Sequence, residues 1–345
     1  GYTGQGQTIA VIDTGIKVNH TNFATAPQDP HFDAAGIQSV LNRYDLCAEE
    51  RYNGTLTGAT LYHSAKLPFT FNYYAGNTDV SHANAGSDHG THVSSIAAGC
   101  DSSSRGVAYN AQIISMQVFQ NGGAAWTEIL AALEDCAWLE VDALNMSLGS
   151  DNGFTQGEAD MEEVFALLTA HGVNCAVAAG NSGTAGSGNN YGSKQPTFNM
   201  DNGVVASPST LGGSLSVAAS SNSSSATPTS YSSWGTTADL SIKPEIMAPG
   251  DNIRAATDSQ YSYSNYGTKS GTSMASPHIA GSMVLVNQYV NTAFPSLSEQ
   301  ARMEMVNTLL MSTAVPSKSG NTPYSPRWQG AGQANLTAAI NTKAY

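Results

Sequence analysis

The chain has 345 residues, of which 41% are hydrophobic and only 11% charged, and its formal net charge is -13. That hydrophobic content can fill a large core, as one big domain or two modest ones. The acidic balance argues against nucleic acid or an anionic membrane surface as partner, because both require basic patches. No run approaches the roughly 20 apolar residues that cross a bilayer, and no charged start followed by an apolar signal core is present. The chain opens at Gly1, a few residues before a strand, so a signal peptide and a pro-segment are expected to have been cleaved. Cys47, Cys100, Cys136 and Cys175 lack the C-x-x-C spacing of a zinc cluster. Their even count permits disulfides, but Cys136 and Cys175 fall in apolar helix and strand patterns and read as buried small hydrophobes.

Residues 7–13 form a short apolar run ending in Asp13, which predicts a buried parallel strand with a carboxylate at its carboxyl end. Residues 20–87 are rich in Asn, Asp, Gly, His and Tyr. They predict surface loops, with a second strand at 39–44 and room for a hairpin. Residues 89–99 predict a buried helix, and 111–118 a strand. Residues 126–140 repeat apolar side chains at helical spacing through Ile129, Leu130, Leu133 and Ala137. A strand at 141–146 leads into Ser147-Leu148-Gly149. A helix at 158–171 is closed by Gly172. A strand at 173–179 ends in Gly180-Asn181-Ser182-Gly183, and another follows at 214–219. The Ser/Thr-rich run 220–233 reads as a loop or junction. A long helix opens at Thr272, with Pro277 placed in its tolerant first turn. Ser296-Leu297-Ser298-Glu299 reads as a capping box for a last helix reaching residue 310. Strand and helix alternate, which predicts an α/β fold with three layers: a mostly parallel central sheet with helices on both faces. In such folds sites gather at the carboxyl ends of strands, where Asp13, Ser147 and Asn181 all fall.

Gly271-Thr272-Ser273-Met274-Ala275 places a serine at a helix start, where free N–H groups and a partial positive charge face outward. A serine hydroxyl needs a base to act as a nucleophile at neutral pH. Ser87-Asp88-His89-Gly90-Thr91-His92 supplies an imidazole at the head of a helix. A buried carboxylate such as Asp13 can accept its Nδ1 hydrogen and fix the tautomer. Asn181, following a strand and a flexible glycine, supplies an amide donor of the kind that stabilises an oxyanion.

Together Val11-Ile12-Asp13-Thr14-Gly15, His89-Gly90-Thr91-His92-Val93, Ala179-Gly180-Asn181 and Gly271-Thr272-Ser273-Met274-Ala275 resemble the motifs of the subtilisin-like serine peptidases, the subtilases. The order Asp, His, Ser is already known for that family. The resemblance runs from about residue 4 to residue 340 and implies a secreted or cell-surface serine endopeptidase acting on protein or peptide substrates, with a cleaved pro-segment. It implies an acyl-enzyme formed on Ser273, with His89 as base, Asp13 orienting it and Asn181 at the oxyanion. It also implies an S1 pocket walled by Ser147-Leu148-Gly149 and Ala178-Ala179-Gly180. The floor falls at Ala206, or at Gly192 if no gap is allowed. Either small residue favours a large apolar P1 side chain. Residues 121–125 would pair with the substrate backbone. Trp126 stands near the S4 subsite, or is a core aromatic at a helix start.

Leu67-Pro68-Phe69-Thr70-Phe71-Asn72-Tyr73, Ile242-Lys243-Pro244-Glu245-Ile246-Met247-Ala248-Pro249-Gly250 and Ser325-Pro326-Arg327-Trp328-Gln329-Gly330-Ala331-Gly332 resemble the branch that holds lactocepins and streptococcal C5a peptidases. The stretch from Asp13 to His89 is longer than in compact subtilisins, which marks residues 20–87 as an insertion. That from Asn181 to Ser273 is too short for the protease-associated domain usual in the branch. Its absence, natural or by excision, would leave a junction near 220–230 in a single catalytic domain, residues 1–345. No cofactor is implied for the chemistry, and the resemblance allows for structural calcium. The loop 100–105 carries one carboxylate, where a strong site prefers several charged oxygens. The Asp/Asn-rich insertion is the other place, though a solvated polar loop is the plainer reading of it. Another class of function is a binding or adhesion module on a dead peptidase scaffold, which the four filled positions oppose. An α/β-hydrolase esterase is excluded by the lack of G-x-S-x-G and by the residue order.

Overall fold

A computed structural model of the chain describes residues 1–81, 85–151, 153, 158–183, 205–258 and 264–342, together with the backbone of 187–188 and 195–196. Strands β1 (Thr8–Asp13), β2 (Phe69–Asn72), β3 (Gln112–Gln117), β4 (Ala143–Met146), β5 (Asn174–Ala178), β6 (Ser214–Ser220) and β7 (Ile246–Pro249) form one sheet in the order β2-β3-β1-β4-β5-β6-β7. Every pairing in it is parallel. Both faces of β1 are buried, as its unbroken apolar run requires. Ile9 and Val11 enter the core on one side of the sheet, and Ala10 and Ile12 the core on the other. The strand order reverses between β3 and β4, on either side of β1, so a crevice opens beyond the ends of β1 and β4.

Helices α1 (His89–Ala98), α4 (Thr272–Ala293) and α5 (Glu299–Ser312) pack on the first side, through residues such as Val93, Ile96, Ile279, Met283 and Leu309. Helices α2 (Trp126–Trp138) and α3 (Ala159–Ala170) cover the other, through Ile129, Leu133, Phe165 and Leu168. An antiparallel hairpin, β8 (Ile253–Ala256) with β9 (Tyr266–Lys269), feeds directly into α4. The architecture is the three-layer α/β fold that the alternating pattern predicts.

Several local expectations are corrected. Residues 39–44 do not form a strand. The helix Ala34–Leu41 occupies most of that stretch, capped by Asp33, whose Oδ1 accepts from the Gly36 N–H at 2.7 Å. Ile37 and Leu41 stand four apart and are both buried, the helical spacing rather than the alternating one. The insertion also folds into the helices Cys47–Arg51 and Gly58–Leu61, and its strand is the sheet edge β2. The α5 cap is Ser298, whose hydroxyl accepts from the Ala301 N–H, so helix starts two residues later than a Ser296 box requires. Pro277 is not in the first turn of α4 but inside the helix, a departure with consequences for the site.

All four cysteines are unbridged, and Cys136 and Cys175 are buried. Among the described residues no helix is long and apolar enough to cross a membrane. The loop 100–105 is a poor fit for calcium, because Asp101 already accepts from the Ser103 and Ser104 N–H groups and from the Thr21 and Tyr266 hydroxyls. Among the described residues no cluster of three or more His, Cys, Asp or Glu side chains is placed to hold a metal ion. The run 220–233 is a closed loop: Ser221 N–H donates to Thr227 O at 2.8 Å and Thr229 N–H to Ala219 O at 2.9 Å.

Candidate active site

Asp13 ends β1 and is only 1% exposed. Its Oδ1 accepts from the Thr14 N–H at 2.7 Å, which fixes the carboxylate plane. His89 opens α1, and its Nδ1 lies 2.9 Å from Asp13 Oδ1 and 3.0 Å from Oδ2. The next residue along each chain makes a parallel contact, with the Gly90 N–H donating to Thr14 Oγ1 at 2.8 Å. The strand end therefore caps the helix and orients the imidazole at once. Glycine is required at 90: a Cβ there would lie 2.2 Å from Gly15 O. Burial pulls the His89 pKa down and the Asp13 carboxylate pushes it up, with a net rise above 6.5.

Ser273 is the second residue of α4. Two backbone groups in that helix's first turn find their partners outside it. Thr272 N–H donates to Asn181 Oδ1 at 2.9 Å, so Asn181 caps the helix from a distance. Its carbonyl end is thereby held on the helix. Pro277 has no N–H to give the Ser273 carbonyl four residues earlier. The Ser147 hydroxyl donates to that carbonyl instead, at 2.8 Å. In return the Ser273 hydroxyl donates to Ser147 O at 3.2 Å. It is this carbonyl, not His89, that the Ser273 hydroxyl meets here. The Ser273 N–H belongs to the first turn and has no intrahelical acceptor.

His89, Asn181 and Ser273 line one cleft of about 370 Å³, together with Ser147, Leu148, Gly149, Ala178, Gly180 and Ala206. Ala179 and Trp126 do not line it. Ala179 is fully buried, its carbonyl accepting from the Ala206 N–H at 2.9 Å. Trp126 is 41% exposed and lines a neighbouring cavity with Leu130, Glu158 and Met161. Residue 192 lies outside the described residues. Ala206 stands opposite Gly149 and Gly180, 3.2 Å from where a Cβ of either would be. Gly180 also has φ +104°, open to glycine alone without strain. Gly122, from the segment 121–125, lines the cleft as well. Sequence reasoning missed Thr14, Phe119, Asp151 and Thr272, which line the same space. Thr14 was signalled by its place after Asp13, and the Ser147 hydroxyl bond by the proline four residues past Ser273.

A parallel sheet that places a carboxylate, an imidazole and a helix-head serine at one strand-end crevice defines a subtilisin-like serine peptidase fold. The chain belongs to that group: residues 4–332 match the sequence pattern of the Subtilase family. The PII-type proteinase of Lacticaseibacillus paracasei is 25% identical over 511 aligned positions, covering 99% of this chain and 26% of the proteinase. The chain thus spans about a quarter of that relative's length. Subtilisin DY of Bacillus licheniformis is 29% identical over 313 positions, covering 89% of this chain and 85% of the subtilisin. The C5a peptidase of Streptococcus pyogenes is 37% identical over 117 positions, 33% of this chain and 10% of the peptidase. Among solved structures, the prenylagaramide maturation protease PagA shares the fold with a TM-score of 0.66 at 19% identity, covering 97% of this chain and 92% of that one.

Proposed function

We propose that the chain is the catalytic part of a serine endopeptidase that works through Asp13, His89 and Ser273. The observation that carries this is the pair of Asp13–His89 contacts at 2.9 and 3.0 Å, with His89 and Ser273 lining one cleft. With a substrate carbonyl in the cleft, the Ser273 hydroxyl turns from Ser147 O and attacks the carbonyl carbon, giving its proton to His89 Nε2. Asp13 holds the Nδ1 hydrogen and stabilises the imidazolium. The tetrahedral oxyanion accepts from the Ser273 N–H and the Asn181 amide. His89 then protonates the leaving amine, and water, deprotonated by His89, releases the acyl group from Ser273. These transfers call for no metal or organic cofactor.

The base must be neutral to act, and its pKa is raised. Activity therefore falls as pH drops through a midpoint above 6.5. Leu148, Gly149, Ala178, Gly180 and Ala206 leave an apolar space suited to a large apolar P1 side chain. Family membership supports peptide substrates, a cleaved pro-segment and action at the cell surface or beyond it. A single catalytic unit with any protease-associated domain joined at 220–230 is favoured by the closed loop there, whose ends already meet. Ser273→Ala is expected to abolish amide hydrolysis while leaving the melting temperature within a few degrees, and to remove labelling by a sulfonyl fluoride. Wild-type turnover in that variant, or a profile of cleaved peptides dominated by Lys, Arg, Asp or Glu at P1, overturns the corresponding part of the proposal.

A further inference from the structure

Two charged residues that the reaction itself does not use bracket the proposed base. Asp88 immediately precedes His89, and its Oδ1 lies 2.6 Å from Lys269 Nζ. Lys269 ends β9, four residues before Ser273. The other Asp88 oxygen accepts from the Asp258 N–H at 2.9 Å, and Asp258 itself pairs with Lys17. The two chain segments whose side chains must meet are therefore tied together by one ion pair just outside the cleft. One turn further along α1, His92 Nε2 lies 3.1 Å from Ile253 O and 3.3 Å from Gly267 O, which fixes the helix to both strands of the same hairpin.

We propose that Asp88 and Lys269 are a positioning pair for this peptidase, a clasp that holds the His89 end of α1 in register with the hairpin that delivers Ser273. This rests on the reading of His89 and Ser273 given above. The charged and titratable groups that face His89 are Asp13 from β1, Lys269 from β9, and Asp88 and His92 on its own helix. Burial lowers its pKa and Asp13 raises it, and of the two clasp residues Lys269 lowers it while Asp88 raises it. The clasp is thus both a mechanical tie and a pair of charges that act on the base in opposite directions. Both side chains are partly exposed, 31% for Lys269 and 21% for Asp88, so their fields on His89 are screened by salt.

The test uses Lys269→Gln, Asp88→Asn and the reversal Asp88→Lys with Lys269→Asp, assayed on a chromogenic peptide across the pH range at low and high salt. Melting temperatures and sulfonyl fluoride labelling run alongside. Each single variant is expected to lose about tenfold in kcat with KM nearly unchanged, a modest misalignment of two reacting groups. The acidic midpoint is expected to rise by about half a pH unit in Lys269→Gln and to fall by about as much in Asp88→Asn, the effect of one partly screened charge. High salt should shrink both shifts, and the reversal should regain most of the kcat. Midpoints that stay put or move the same way, unchanged kcat, or losses that merely follow the melting temperature overturn the clasp. A wild-type protein that takes no label on Ser273 overturns the triad reading instead. A labelled, active wild type with unmoved variants overturns the clasp alone.

Discussion

Replacing Gly90 by alanine should move His89 without touching it. The backbone at residue 90 is one that alanine adopts, so the effect comes only from the added Cβ. That atom would lie 2.2 Å from Gly15 O and 3.2 Å from Asp13 Cβ. To restore ordinary contact, the head of α1 must retreat from the β1 end by about 1 Å, because neither backbone segment has free space to yield. The Asp13–His89 contacts at 2.9 and 3.0 Å would stretch out of hydrogen-bond range. Overpacking of this kind costs about 1–3 kcal/mol, against which an alanine in a helix returns about 1 kcal/mol. The melting temperature should therefore fall only slightly. The rate should suffer much more, since about 1 Å of displacement between reacting groups costs on the order of 100-fold. The assay is kcat and KM on a chromogenic peptide with the fraction folded measured by circular dichroism. Gly212→Ala serves as control, because a Cβ there meets nothing within 4 Å. A Gly90→Ala enzyme with wild-type kcat, or one whose loss equals its loss of folded protein, would refute the reasoning.

Other outcomes follow from the same geometry. His92 is fully buried, with both carbonyl contacts on Nε2 and none on Nδ1, and its pKa is pulled down to about 4, first by burial and then by Lys269. The unfolded chain takes up this proton near 6.5, so His92 costs stability as pH falls from about 6.5 to about 4, a loss of about 3 kcal/mol. His92→Gln should flatten the acid side of a melting-temperature profile, and an unchanged slope would count against it. Ala206→Leu fills the space facing Gly149 and Gly180, and should lower kcat/KM for aromatic P1 peptides by about 100-fold while sparing P1 alanine. Equal losses for both peptides would mean that Ala206 is not in the P1 pocket.

What the sequence made legible divides along physical lines. Strands buried on both faces between flanking helices, such as β1 and β5, announce themselves as apolar runs, and α2 as a helical repeat. The sheet edges β2 and β7 are four residues each, too short for any periodicity to emerge. The helix Ala34–Leu41 was misread because its cap, Asp33, precedes a stretch whose apolar residues are few and whose polar ones suit a loop. That Asp13, His89, Asn181 and Ser273 would stand close together was legible because each sits near a strand end or a helix start. Which face of a side chain or peptide lines a cleft was not legible: Ala179 is buried beneath the cleft, and Trp126, placed near S4, lines a neighbouring cavity. The Ser147–Ser273 exchange of hydrogen bonds lay hidden in one letter, the proline at 277.

Helix α4 is buried along nearly its whole length, from Thr272 through Val290, and packs against β4, β5 and β6. The hydrogen-bonded amides in its buried middle are expected to exchange slowly, while surface turns open locally at little cost. The proposed nucleophile, Ser273, therefore rides on a helix buried along most of its length. Surface turns can open while the helix that carries Ser273 stays packed. With Ser273 as the proposed nucleophile, its titration with a sulfonyl fluoride should count folded molecules.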